Sequence, residues 1–313
     1  MSGLRLIADI GGTNARFAVS RADSSMDDVA VLACADFADP VAAAKAYLAR
    51  AALPEPPERA VFALAAPVTG DHVVVTNHSW SFSIDDVRRR LGLEDLEVIN
   101  DFSAVALALP HLTAADVLRV GGGEAAPDAP MALLGPGTGL GVSALIPTGN
   151  GWMPLATEGG HVSMTAFDSR EEAVLATLRG SSPVSAEQVI SGRGLVNLYR
   201  TLCEIDGHGA DPTIAPADVT ARALDGACPV CVEALDMFCS MLGTVASNLA
   251  LTLGARGGVF IAGGIVPRLG QAFAVSRFRH RFEDKGRFSN YMVAVPTFVV
   301  THQFPALLGL SRR

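Results

Sequence analysis

The chain has 313 residues, half of them hydrophobic, and its formal net charge at pH 7 is −8. This length and apolar content allow a large buried core and favour two domains over one. An acidic chain lacks the broad basic face that nucleic acids bind, and it is a poor match for an anionic membrane surface. Composition therefore argues against both nucleic acid and membrane as partners.

The chain carries no targeting pattern that we can identify. Its first ten residues, MSGLRLIADI, run directly into a strand pattern and lack the basic and long apolar segments of a signal peptide. The most apolar window, residues 246–266, is interrupted by Asn248, Arg256 and several glycines, so we expect no membrane span there. We expect a soluble, cytoplasmic protein.

Five cysteines are scattered along the chain, which is typical of reduced thiols. Cys228 and Cys231 form a C-x-x-C pair, which could be a redox or a zinc pair. No second cysteine or histidine pair stands at zinc spacing. We therefore interpret the two cysteines as small apolar residues at the start of a long helix.

Strand-like and helix-like segments alternate along the chain, which predicts an α/β fold. Strands are expected at 4–10, 15–20, 30–37, 61–66, 72–76, 96–99, 131–134, 141–146, 258–262 and 292–300, and helices at 40–50, 83–91, 102–109, 230–253 and 305–310. Ser83 should cap the second of these helices. The helix at 230–253 is apolar nearly all round and should be deeply buried. The glycine-rich segment 110–130 is the expected domain boundary.

Two strand–turn–strand segments carry similar glycine turns, ADIGGTNARF and LLGPGTGLGVSAL. We call residues 11–14 the first glycine turn and residues 137–139 the second glycine turn. Glycines let a phosphate approach the backbone, and consecutive N–H groups bind anions. One such turn alone is usually a simple hairpin, but a pair, one in each half, could hold a polyphosphate. Neither precedes a helix, so neither is a P-loop or a dinucleotide fingerprint. Asp9 could reach a phosphate-bound Mg²⁺ through water.

Three further segments place polar side chains where chemistry is plausible. Asn100 and Asp101 lie where a buried strand meets a helix, so each could be a helix N-cap, or the carboxylate could be a base at the strand's carboxyl end. Glu158 and His161 flank two glycines, and they could belong to a solvated turn or face one ligand. Glu187 reads from its own surroundings as an ordinary helix residue.

In this order and spacing, the segments resemble a known family, the bacterial glucokinases of the proteobacterial and cyanobacterial type. The resemblance covers almost the whole chain and rests on DIGGTNARFAV, LEVINDFSAVALALP, LGPGTGLGVSALIP, ATEGGHVSM, VSAEQVISGRGLVNLYR and VFIAGGIVPR. It implies an α/β, two-domain actin-like ATPase (ribonuclease H-like) fold with a cleft between the domains. The small domain would span 1–110, with a terminal helix at about 300–313 packed back on it, and the large domain 111–299.

The resemblance also implies roles for individual residues. The activity it implies is phosphorylation of the C6 hydroxyl of glucose by ATP, with Asp101 as the catalytic base. The implied sugar contacts are Asn100, Glu158, His161 and Glu187, and for Glu187 this overrules the interpretation as an ordinary helix residue. The implied ATP contacts are Ala8, Asp9, Ile10, Gly11, Gly12, Thr13, Asn14, Gly137, Thr138, Gly139, Gly263 and Gly264. It further implies Mg²⁺ bound near Asp9 through water, and a homodimer.

Other functions fit the sequence less well. A broader hexose kinase of the repressor–kinase group resembles the chain in its glycine turns. That group usually carries a zinc-binding cysteine cluster after its E-x-G-H segment, and here no cysteine lies between Cys34 and Cys203. A sugar-sensing regulator would need DNA-binding helices and a basic surface. A bare actin-like ATPase would not need the polar residues around Asp101 and Glu158. One departure from the family is Arg193, where we would expect proline.

Overall fold

A computed structural model describes residues 3–76 and 78–313. Its strands are β1 (Arg5–Ile10), β2 (Asn14–Ser20), β3 (Met26–Ala33), β4 (Arg59–Leu64), β5 (His72–Val74), β6 (Ser81–Ser83), β7 (Asp95–Asn100), β8 (Val117–Val120), β9 (Met131–Pro136), β10 (Leu140–Thr148), β11 (Gly151–Ala156), β12 (Gly258–Ile261) and β13 (Thr297–Val300). Its helices are α1 (Pro40–Ala51), α2 (Ile84–Leu91), α3 (Asp101–Ala108), α4 (Ser169–Leu178), α5 (Gly192–Ile205), α6 (Pro216–Leu224), α7 (Pro229–Leu253), α8 (Val266–Leu269), α9 (Gln271–Ala274), α10 (Phe278–Glu283), α11 (Ser289–Val293) and α12 (Pro305–Ser311). The expected α/β alternation is confirmed, and Ser83 caps α2 by accepting a hydrogen bond from Asp86 N–H.

Some expected elements are wrong in extent. The strand expected at 30–37 begins earlier, at Met26, and gives way to a 3₁₀ turn over Cys34–Asp36. The segment expected as one strand at 292–300 is α11 followed by β13; Pro296, between them, lacks the N–H that a central strand would donate. The boundary segment 110–130 contains β8, which pairs with β13. The sequence did not indicate β6, β8 or β11.

Contacts divide the chain into two compact units. The first comprises the chain up to Thr113, together with Asn150–Ala156 and His302–Arg313. Its sheet has the strand order β3-β2-β1-β4-β7, in which β1, β4 and β7 are mutually parallel. Helix α12 packs against α3, and a Cβ on Gly309 would overlap with the Ala104 carbonyl, so glycine permits this close approach.

The second unit comprises Ala114–Gly149 and Thr157–Thr301. Its strands lie in the order β10-β9-β12-β13-β8, with β12 parallel to both β9 and β13. Helix α7 is long and apolar enough to cross a membrane, but 67% of its most apolar stretch is buried in the fold. Helices α5, α6 and α10 cover it, so it is a core helix, as its all-round apolar pattern predicted.

Candidate active site

Two carboxylates lie at one edge of the sheet in the first unit. Strands β1 and β7 are parallel to the β4 strand between them, so their carboxyl ends share an edge. Asp9 lies near the end of β1, and Asp101 follows β7 as the first residue of α3. The expected position of Asp101, where a strand meets a helix, is confirmed.

Asn100 is the N-cap of α3, the role that the sequence offered for either Asn100 or Asp101. Its Oδ1 accepts hydrogen bonds from the N–H groups of Phe102 at 2.9 Å and Ser103 at 3.2 Å. Its Nδ2 donates to Asp101 Oδ1 at 3.0 Å, and Phe102 N–H also donates to that oxygen, at 2.9 Å. The cap therefore holds the Asp101 carboxyl in a defined orientation and leaves its second oxygen without these donors.

The pKa of Asp101 is raised to about 7. Burial is the main cause, because it disfavours the charged form, and the negative charge of Asp9 adds to it. The hydrogen bonds from Phe102 and Asn100 oppose the rise. A carboxyl group with such a pKa can accept a proton near neutral pH, which an ordinary surface aspartate does poorly.

Asp9 has a partner that sequence reasoning missed. Arg16 lies directly opposite Asp9 in the β1–β2 hairpin, and its guanidinium donates to Asp9 Oδ2 at 2.9 Å. Burial raises the pKa of Asp9, and Arg16 counteracts part of that rise. The hairpin register was the available signal, because a turn over residues 11–14 pairs position 9 with position 16.

The second glycine turn is held by several backbone contacts. Gly137 N–H donates to the Gly139 carbonyl at 2.8 Å, and Gly192 N–H, at the start of α5, donates to the Gly137 carbonyl at 2.8 Å. Leu140 N–H donates to Glu187 Oε2 at 2.9 Å. Glu187 itself lies in a 3₁₀ turn, Ala186–Gln188, and its carboxylate contacts the second glycine turn. The interpretation of Glu187 as an ordinary helix residue is therefore wrong.

Gly263 and Gly264 follow β12 and come close to the same turn. Gly263 has a φ of 85°, in the left-handed region, and a Cβ there would overlap with the Pro136 carbonyl. A Cβ on Gly137 would lie 3.9 Å from Gly264 N. The structure thus brings together the ATP contacts expected at Gly137, Gly139, Gly263 and Gly264.

Glu158 immediately precedes a tight 3₁₀ turn, Gly159–His161, and His161 is the last residue of that turn. A Cβ on Gly160 would overlap with the Leu140 carbonyl, so the two glycines allow the turn to press against β10. The side chains of Glu158 and His161 are 61% and 60% exposed, and Glu158 Oε2 lies 4.0 Å from His161 Nε2. Both are therefore free to contact a ligand.

Arg193 also reaches this region. Its side chain is 73% exposed, and its guanidinium lies 3.9 Å from Glu187 Oε1. The contact places a positive charge beside an expected sugar contact. The sequence marks Arg193 as a departure from the family, but no local pattern indicates Glu187 as its partner.

The metal expected here is a nucleotide-bound Mg²⁺. Within residues 3–76 and 78–313, no group of three or more His, Cys, Asp or Glu side chains could hold a metal ion. Mg²⁺ bound with a nucleotide typically takes one or two carboxylates and fills its other positions with water and phosphate oxygens. Asp9, at the carboxyl end of β1 beside the first glycine turn, supplies one such carboxylate.

Comparisons with known proteins agree with the sequence motifs. A family model described as glucokinase matches residues 6–313. A glucokinase from Paramagnetospirillum magneticum is 52% identical over 99% of this chain and 97% of its own length. The crystal structure of a glucokinase from an Antarctic psychrotroph superposes with a TM-score of 0.89 at 36% identity, covering 99% of this chain and 98% of its own. A glucokinase of the ROK family from Streptomyces griseus, crystallised with glucose and AMPPNP, shares the fold with a TM-score of 0.67 at 21% identity, covering 99% of this chain and 98% of its own.

Proposed function

Because the chain belongs to the glucokinase family, we propose that it transfers the γ-phosphoryl group of ATP to the C6 hydroxyl of D-glucose, producing glucose 6-phosphate and ADP. The observation that carries this proposal is the Asp101 carboxyl, which is oriented by two donors and has a pKa of about 7. Phosphoryl transfer needs positioning and charge stabilisation, and an acceptor hydroxyl that loses its proton.

Asp101 is the proposed base. As the C6 oxygen attacks phosphorus, its proton passes to the Asp101 carboxylate, which must therefore be ionised at the start of the step. Asp101 Oδ1 already accepts hydrogen bonds from Phe102 N–H and Asn100 Nδ2, so Asp101 Oδ2 is the oxygen available to the sugar. The raised pKa makes the carboxylate a stronger base than an ordinary aspartate.

The two glycine turns are the proposed phosphate sites. Residues 8–14 in the first unit would contact the phosphates through backbone N–H groups and the Thr13 hydroxyl. In the second unit the second glycine turn with Thr138, and Gly263 with Gly264, would do the same. Backbone N–H groups aimed at fixed positions stabilise developing negative charge without having to reorganise.

The sugar contacts are proposed to be Asn100, Glu158, His161 and Glu187. Carboxylates accept hydrogen bonds from sugar hydroxyls, and the exposure of Glu158 and His161 leaves their polar atoms available. Each buried polar contact is worth about 1–3 kcal/mol, which is enough to prefer one hexose to another.

Mg²⁺ is proposed to bind with the nucleotide, contacting Asp9 through water. When bound, it neutralises negative charge on the phosphate oxygens. The residue that would hold it is Asp9, which Arg16 orients from across the hairpin. The chain is further proposed to act in the cytoplasm as a homodimer, an assembly state that light scattering of the purified protein would check.

The test is ADP release from MgATP, with and without glucose, in the wild type and in Asp101→Asn. We expect glucose to stimulate release strongly and the variant to lose about 10²- to 10⁴-fold in kcat/KM. Asp95→Asn is the matched control, because Asp95 is exposed at the start of the same strand. In the wild type, kcat/KM should fall about tenfold per pH unit below a pH of about 7.

Two outcomes would contradict the proposal. Near-normal turnover in Asp101→Asn would mean that Asp101 has only a structural role. Stimulation by another hexose but not by glucose would mean that glucose is not the substrate.

A further inference from the structure

The C-x-x-C pair is not used by the proposed reaction, and it lies at the start of the long helix α7. Cys228 is the N-cap of α7, Pro229 is the first residue of that helix, and Cys231 follows one turn along. All five cysteines are free, and Cys228 alone among them is partly exposed, while the other four are buried. Both cysteines lie at the start of the long helix, as interpreted from the sequence; Cys231 is fully buried, and Cys228 is partly buried against the core.

Cys228 receives hydrogen bonds from the start of its own helix. Proline at the first position has no N–H, so the backbone donors nearest to Cys228 are those of Val230 and Cys231. Cys231 N–H donates to Cys228 Sγ at 3.4 Å, and the Cys231 thiol also hydrogen-bonds to that sulfur. The positive end of a 25-residue helix and the nearby Arg222 further favour a thiolate.

The two thiols differ in how readily they ionise, as do the cysteine that attacks a disulfide and the cysteine that then resolves the mixed disulfide. Burial opposes ionisation of Cys228, but the donors from Cys231 and Val230 and the charge of Arg222 together outweigh it, so the pKa of Cys228 lies below its ordinary value. Burial, together with the contact to Cys228, raises the pKa of Cys231 to about 12. In the described part of the chain no further His, Cys, Asp or Glu completes a metal site with them, so a dithiol describes the pair better than a zinc ligand set.

We propose that Cys228 and Cys231 form a thiol–disulfide exchange site whose co-reactant is a small disulfide such as glutathione disulfide. The Cys228 thiolate attacks one sulfur of that disulfide, forming a mixed disulfide and releasing one glutathione thiolate. The Cys231 thiol then gives up its proton and attacks Cys228 Sγ, releasing the second glutathione. The chain loses two protons and two electrons, which reduce one glutathione disulfide to two glutathione molecules.

The link would join positions 228 and 231 at one end of a single helix. It closes a very short loop, so it constrains little of the unfolded chain, and the exchange reaction itself is the proper readout. Cys203, a buried sulfur on α5, lies near Cys231, and a Cys203–Cys231 link is the competing product that the experiment must separate.

The experiment incubates the native full-length chain with glutathione disulfide, alkylates the remaining thiols and maps the cysteines by mass spectrometry. We expect a Cys228–Cys231 link, with Cys34, Cys203 and Cys239 alkylated only after unfolding. Cys231→Ser should stop at a stable mixed disulfide on Cys228. Cys228→Ser should reduce the rate of reaction with glutathione disulfide at least tenfold, while the matched Cys239→Ser, which removes a buried thiol, should not.

Circular dichroism of each serine variant establishes that it is folded before it is compared. The proposal is overturned if the native wild type keeps both thiols free while the urea-unfolded chain reacts. It is also overturned if Cys203 and Cys231 are the linked pair, or if the mixed disulfide on Cys228 persists in the wild type without being resolved.

Discussion

The two glycine turns have similar sequences but different surroundings. At the first turn, a Cβ on Gly11 would meet only the Asn14 carbonyl within 4 Å, at 3.6 Å, and the neighbouring groups are charged: Asp9 with its partner Arg16. At the second turn, a Cβ on Gly139 would lie 2.5 Å from Glu187 Oε2. Next to the first turn there is open space and a charged pair, Asp9 with Arg16. At the second turn, protein atoms already fill the space that a side chain on Gly139 would need.

This difference shows that a shared turn motif does not imply a shared way of being stabilised. Glycine at the first turn leaves open space that a ligand can enter. Glycine at and around the second turn allows neighbouring chain segments to approach one another, and a side chain there would have to displace protein atoms. Substitutions should separate the two cases.

The largest effect is expected on the electrostatic side, from Asp101→Asn measured as stability. In the wild type, the Asp101 carboxyl has a pKa of about 7 in the folded state, against 3.8 for an unperturbed aspartate. The folded state therefore binds this proton more tightly than the unfolded state does, and the free energy of unfolding decreases as pH rises from about 4 to about 7. The variant should therefore be more stable than the wild type by up to about 4 kcal/mol at pH 8. The gain should shrink to below about 1 kcal/mol near pH 3, where the carboxyl group is largely protonated in both the folded and the unfolded wild type.

Urea unfolding at several pH values measures this difference, and Asp95→Asn should show no comparable trend. A pH-independent difference for Asp101→Asn would mean that its carboxyl group titrates like an exposed one.

The next largest effect is expected on the packing side, from Gly263→Ala. Alanine there must adopt a φ of 85° and place its Cβ against the Pro136 carbonyl, so we expect a loss of about 2–4 kcal/mol in the free energy of unfolding. Gly264→Ala is the matched control, because a Cβ there meets nothing within 4 Å. Equal stability of the two variants in urea would contradict the close approach.

A smaller effect distinguishes the turns directly. Gly139→Ala should push Glu187 away from Leu140 N–H, costing about 1–2 kcal/mol and raising KM for glucose about tenfold. Gly11→Ala should change stability by less than about 1 kcal/mol, because its Cβ makes an ordinary contact. If phosphate binds the first turn, this variant should instead raise KM for ATP. Steady-state kinetics with each substrate varied in turn tests the pair, and a common effect on both variants would make the turns equivalent.

The smallest effect is expected from Arg193→Ala. Its guanidinium is 73% exposed and 3.9 Å from Glu187, so the pair should contribute less than about 0.5 kcal/mol to stability. KM for glucose should change by less than about threefold, measured beside Arg200→Ala, an exposed arginine on the same helix. A large rise in KM would show that Arg193 orients Glu187 for the sugar.

Much of the fold and the candidate site was predictable from local patterns. Short apolar runs located β1, β2 and β4, and apolar residues all round located α7, because those preferences are carried by neighbouring residues. The segment 292–300 could not be assigned correctly, since its apolar residues suit a strand or a short helix equally. Strand β8 forms only because β13 offers a free edge from far along the chain.

The sequence by itself determined the two glycine turns, the strand–helix junction at Asp101 and the family to which the chain belongs, because each depends on residue types at fixed spacings. Only the tertiary structure decided which groups act on them. Glu187 meets the second glycine turn, and burial beside Asp9 raises the pKa of Asp101. Burial and electrostatic interaction depend on distances between segments that are separate in the chain, and these distances exist only once the chain has folded.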